Sequence, residues 1–126
     1  MNIKIDTKEI FYVISLLDSE MTANMSAHLL DLITKQQEEE VKSLILQLGK
    51  VTAMNEGFAS TLIAVKESLY KKNKSFVICN LSENIKQNLI EWGILDNINF
   101  SPTESEAWDI VQMEEIEREL DAEFPE

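Results

Sequence analysis

Cysteine is nearly absent from this chain. Cys79 stands alone among 126 residues, which excludes an internal disulfide framework and a zinc site built on several thiolates. The one histidine, His28, leaves no imidazole cluster for a metal or a proton relay. Gly49, Gly57 and Gly93 are the three glycines, too few and too far apart for a glycine-rich loop that cradles phosphates. A Gly-x-Ser-x-Gly elbow is also missing. Bases are scarce: 11 Lys and Arg face 23 Asp and Glu, a net charge of −12 that repels nucleic acid and anionic membrane surfaces. No stretch reaches the ~18 apolar residues of a membrane span, and the opening Met-Asn-Ile-Lys-Ile-Asp carries no apolar signal core. A cytoplasmic protein is expected, with no nucleic-acid or membrane partner, no metal and no cofactor.

What is present suits a folded domain. Hydrophobic residues make up 44 % and charged residues 27 %, and a chain of this length buries roughly two-thirds of its unfolded surface without crosslinks. One domain over 1–126 is expected. The negative charge is uneven: from Thr103 onward ten acids face Arg118 alone, −9, leaving −3 for the first 102 residues. The simplest reading of that tail is a solvated helix face; the sharper one is steering towards a basic partner surface.

Hydrophobic periodicity sets the element order. Ile3 and Ile5 alternate with polar neighbours, and after the turn Asp6–Glu9 the β-branched and aromatic run Ile10–Ile14 completes a hairpin. Asp18 and Ser19 offer a helix start, with Met25, Leu29, Leu32 and Ile33 on one stripe. The acids Glu38–Glu40 oppose the dipole at that helix's end and predict fraying or an early stop. Leu44-Ile45-Leu46 reads as a central strand covered on both faces. Asn55-Glu56-Gly57 opens a helix whose stripe is Phe58, Leu62, Val65 and Leu69. Phe76–Cys79 is another buried strand. Ser82 caps a helix with Ile85, Leu89 and Trp92 that stops at Gly93, and Ile98–Phe100 is a last strand. Ser101 then caps a helix with Pro102 first and Glu104 third, running over about 103–124. Its stripe is Ile110, Met113, Ile116, Leu120 and Phe124, flanked by Trp108 and Val111, and Pro125 ends it. Strands alternating with helices after a hairpin predict an α/β fold with mainly parallel pairing.

Few side chains invite chemistry. His28 beside Leu29 and Leu30 reads as a helix-surface or core-edge imidazole, and Cys79 as a buried, inert thiol. Asp18, Glu20 and Asp31 are carboxylates that sequence alone does not bring together. Nothing in the residues asks for an enzyme.

Three blocks carry a resemblance: Leu44-Ile45-Leu46-Gln47-Leu48-Gly49-Lys50-Val51-Thr52-Ala53-Met54-Asn55-Glu56-Gly57-Phe58, Phe76–Ile85 with Leu89–Ile94, and Phe100–Trp108. Their order and spacing, from about Ile10 to Val111, resemble the STAS domain (sulfate transporter and anti-sigma factor antagonist). The resemblance implies a small mixed, mainly parallel sheet with packed helices and an N-terminal hairpin. In stand-alone members the helix after the third strand starts at Asp-Ser-Ser-Gly or a close variant. A partner kinase that is also the anti-sigma factor phosphorylates the first serine, and the unphosphorylated form binds that partner. By position the aspartate falls on Met54, the phospho-acceptor on Asn55, the next hydroxyl residue on Glu56 and the glycine on Gly57, the one match. An acidic residue often seen in the third strand falls on Gln47.

Asparagine accepts no phosphoryl group, yet it is among the best helix caps, and Glu56 is well placed in the first turn. Asn55-Glu56-Gly57 is therefore either a well-capped helix start and no more, or a binding edge kept without its covalent switch. The second option implies a non-enzymatic regulatory module that docks a protein, of the anti-sigma factor or serine kinase kind, through Thr52, Met54, Asn55, Glu56, Gly57 and Ser60. Ser60 and Thr61, one turn further on, carry hydroxyls and are candidate acceptors at other positions. The alternative is a structural or assembly protein that oligomerises through its C-terminal helix.

Overall fold

The computed structural model describes residues 1–123. β1 (Ile3–Thr7) and β2 (Phe11–Leu16) form the hairpin, antiparallel with Ile3 opposite Leu16. β3 (Glu20–Met21), α1 (Met25–Glu39) and β4 (Ser43–Gln47) follow, then β5 (Ala53–Met54), α2 (Glu56–Lys71) and β6 (Phe76–Cys79). α3 (Glu83–Glu91), a 3-10 turn at Leu95–Asn97, β7 (Asn99–Ser101) and α4 (Glu104–Glu123) complete the order. The main sheet runs β1-β2-β4-β6-β7 and is parallel from β2 onward; β3 and β5 make a separate two-stranded parallel ribbon.

Alternation along the central strands splits the apolar residues between two faces. Tyr12, Ile14, Leu44, Leu46, Phe76 and Ile78 join the larger core beneath α1, α2 and α3. Phe11, Val13, Ile45, Val77 and Cys79 point the other way, where Ala107 and Val111 of α4 meet them. Phe11 and Trp108 pack edge to face with ring centroids 5.2 Å apart. Burial there pushes the Cys79 thiol up to about 12, with the nearby Glu104 carboxylate adding to the effect. A thiol-reactive dye is thus expected to leave native protein unlabelled at pH 8 and to label Cys79 once urea unfolds the chain. Rapid native labelling would contradict that burial.

Several local expectations change. Asp18 and Ser19 do not start α1. The Asp18 carboxylate accepts the Asn2 backbone N–H at 2.8 Å and its side-chain amide at 2.9 Å, and the backbone bond holds its pKa below the usual carboxylate value. The chain then extends into β3, and α1 begins only after Asn24. α1 ends within the acidic run, at Glu39, with Glu40 already extended. Tyr12 donates its hydroxyl to the Glu40 carbonyl at 2.8 Å, and Gln37 Oε1 accepts the Lys42 N–H at 2.9 Å, so the helix end is capped despite its charge.

At the start of α4, Ser101 stays in β7, paired with Cys79, and Thr103 caps instead, its Oγ1 accepting the Glu106 N–H at 3.2 Å. Gly93 closes α3 with φ +69°, a conformation that costs an L side chain roughly 1 kcal/mol. Phe124 and Pro125 lie outside the described residues. The α4 stripe is the largest change: Ile110 is only half-buried, while Met113, Ile116 and Leu120 are 61 %, 56 % and 51 % exposed.

Candidate functional site

Because β2, β4 and β6 are parallel, the segments that follow them emerge at one end of the sheet. There the starts of α1, α2 and α3 gather, the usual place for recognition in parallel α/β sheets. The segment leading into α2 is held by backbone bonds. Thr52 and Ala53 donate their N–H groups to the Ser19 carbonyl at 2.7 and 3.1 Å, and Asn55 donates to Met21 at 2.8 Å. Thr52 Oγ1 donates to the same Ser19 carbonyl at 3.2 Å, and Asn84 Nδ2 donates to the Thr52 carbonyl at 3.0 Å. This ribbon gives α2 a fixed entry.

Asn55 is extended, at φ −78° and ψ 144°, and its Oδ1 accepts the Gly57 N–H at 2.7 Å. Glycine suits position 57 because of close approach. A Cβ there would lie 2.9 Å from Asn55 Oδ1 and 3.8 Å from the Ala23 Cβ, pressing on the cap itself. Phe58, the next residue, is fully buried and ties the exposed cap to the core.

Thr52, Asn55, Glu56, Gly57 and Ser60 are all exposed along this edge. Met54 is not. It is 7 % exposed and belongs to the larger core, because the period-two pleat of β5 turns it inward, so it leaves the expected docking set. Ser60 is exposed while donating its hydroxyl to the Glu56 carbonyl at 3.1 Å; Thr61 is buried and donates to Gly57 at 3.2 Å. Gln47, half-buried at the end of β4, accepts the Gly49 N–H and so shapes the turn. His28 is exposed on α1.

Glu56 and Glu83 sit in the first turns of α2 and α3, and exposed Glu20 precedes α1. Glu56 and Glu83 complement the dipoles of α2 and α3, and the three acids together make this end a poor host for a free phosphate. Among the described residues, no group of three or more His, Cys, Asp or Glu could hold a metal ion. No helix among them is long and apolar enough to cross a membrane. Sequence reasoning missed the β3–β5 ribbon and the Asn84 bond. Two-residue strands are too short to show periodicity, and a bond between residues 32 apart leaves no local trace.

Comparison with known proteins adds three findings. A family model described as the STAS domain matches residues 2–107. No curated protein sequence matches. Among solved structures, the protein TM1081 of Thermotoga maritima is 13 % identical with a TM-score of 0.74, covering 87 % of this chain and 94 % of its own. The anti-sigma factor antagonist SpoIIAA, in its unphosphorylated form, is 15 % identical with a TM-score of 0.73, covering 88 % and 96 %. RsbS of Moorella thermoacetica, in a variant with one serine replaced by glutamate, is 13 % identical with a TM-score of 0.73, covering 89 % and 96 %.

Proposed function

The chain belongs to the STAS family, and from that premise we propose that it is a non-enzymatic regulatory module that binds a protein partner through the exposed start of α2. The observation that carries this reading is Asn55, an exposed side chain capping α2 at 2.7 Å on a rigid edge. By resemblance this is the position of the phospho-acceptor. The solved neighbours include an anti-sigma factor antagonist, and the partner proposed here is an anti-sigma factor or a serine kinase of that type. The reading includes a cytoplasmic location and one domain over the whole chain.

Asn55 carries no hydroxyl, so binding would be constitutive. A phosphoryl group at this helix start would add about −1.5 to −2 charge, beside Glu56 and near Glu83 of the α3 start, and would change the charge of the docking face. An amide leaves that face unchanged.

The test uses a tagged chain to recover the partner, followed by ATP and the recovered kinase activity. Wild-type protein is expected to gain no phosphate over residues 50–60 by mass spectrometry and to stay bound. Asn55→Ser, which keeps a good cap, is expected to accept one phosphate and release the partner. Stoichiometric phosphate on Ser60 or Thr61 of the wild type would refute constitutive binding, and an inert Asn55→Ser would refute the equivalence of position 55.

A further inference from the structure

α4 turns Met113, Ile116 and Leu120 away from the protein. Its sheet-facing side starts apolar, with Ala107 and Val111 buried, and then becomes polar. Glu114 accepts the Asn99 side-chain amide at 3.2 Å. Glu115 accepts the Ser43 hydroxyl at 2.6 Å, with Lys74 at 4.0 Å and Arg118 at 3.5 Å. These contacts fix the rotation of the helix, so Met113, Ile116 and Leu120 cannot roll inward. Spaced i, i+3 and i+7, they form one ridge on the outer side.

Ile116 is also the lip of a groove of about 430 Å³ between α4 and the β1–β2 turn, lined in part by Ile10, Trp108, Gln112 and Glu119. Ile10, itself 38 % exposed, gives the groove an apolar floor opposite the ridge. Exposed apolar surface continuous with a groove is the usual mark of an interaction site.

The charges beside the ridge select the occupant. Asp109, Glu117, Glu119 and Asp121 are exposed, and among the described residues none of them takes part in a salt bridge. The one base of α4, Arg118, is turned towards Glu115. A second copy laid along α4 would set acids against acids. A partner with Lys and Arg beside its own apolar stripe would neutralise them.

We propose that α4 and the adjoining groove dock a basic amphipathic helix of a protein partner, with leucine-like side chains against Met113, Ile116 and Leu120 and its bases against Glu117, Glu119 and Asp121. This surface lies across the sheet from α2. It goes beyond the proposed role of Asn55, and its failure would leave that role standing.

The test uses a synthetic helical peptide of about 20 residues, long enough to span α4, with leucine on one stripe and lysine on the flanks. A counterpart carries glutamate for lysine. Fluorescence anisotropy with the full chain is expected to show binding of the lysine peptide alone. A Met113→Ser, Ile116→Ser, Leu120→Ser variant, unchanged in charge and altered only at exposed positions, is expected to bind it at least tenfold more weakly. Glu117→Gln, Glu119→Gln, Asp121→Asn is expected to weaken binding and flatten its salt dependence. Equal binding by the serine variant would reduce the effect to bulk charge attraction and overturn the proposal. So would no binding at all, or light scattering that finds a wild-type dimer dissolved by the serine changes, which would make a second copy the occupant.

Discussion

Phe58→Ala is expected to lower the unfolding free energy by about 3–5 kcal/mol, read from the shift of the urea midpoint at unchanged slope. Phe58 is fully buried, one residue beyond the exposed Gly57, and packs with the larger core beneath α2. Truncation removes the ring from water-free surroundings and leaves a cavity that the neighbouring strands refill only in part. Domains of this kind are stable by only about 5–15 kcal/mol. One substitution thus takes a large share of the total. Phe58→Leu, which keeps much of the volume, is expected to cost well under half as much. A loss below about 1 kcal/mol for the alanine variant would mean that α2 is not seated on its core as described.

Asn55→Arg is expected to weaken partner binding by about 2 kcal/mol or more, the range of an interface hot spot, or roughly thirtyfold in Kd. Arginine removes the Oδ1 acceptor that satisfies the Gly57 N–H and places a cation at the positive end of the α2 dipole. The folding cost is about 1–2 kcal/mol, one cap plus an unfavourable charge at the helix dipole, so the protein remains folded while the edge gains a positive charge. Asn55→Ala separates the two effects, because it loses the cap without adding charge. It should share the stability loss and keep most of the affinity. Titration calorimetry with the recovered partner measures the difference, and an arginine variant that binds like the wild type would remove this edge from the interface.

The helices on the two faces of the sheet differ in how far they were legible. The start and the inward stripe of α2 could be read: Asn55 as cap, and Phe58, Leu62, Val65 and Leu69 inward. Each of those signals is local. α4 could be read as a helix but not by its facing side. Its more apolar stripe, Met113, Ile116 and Leu120, points outward, while Glu114 and Glu115 point towards the sheet. A periodicity argument assigns the apolar face to the core. It cannot foresee that Ser43, Lys74 and Asn99 provide polar partners on the surface that α4 covers.

Met54 followed the same rule on a smaller scale. Its neighbours Thr52 and Asn55 are exposed, yet pairing of β5 with β3 sets the pleat that buries it. From sequence alone came the order of the main-sheet strands and the four helices, the hairpin, the buried central strands, the caps at Asn55 and Ser82, and a net charge that disfavours phosphate-rich partners. Those features depend on periodicity, capping chemistry and composition, which act over a few residues or over the whole chain. Tertiary structure alone decided where α1 begins, the ribbon that steadies the α2 entry, and which side of α4 meets water. Each of these depends on hydrogen bonds or packing between residues far apart in the chain, and such pairings leave no pattern in the order of the residues.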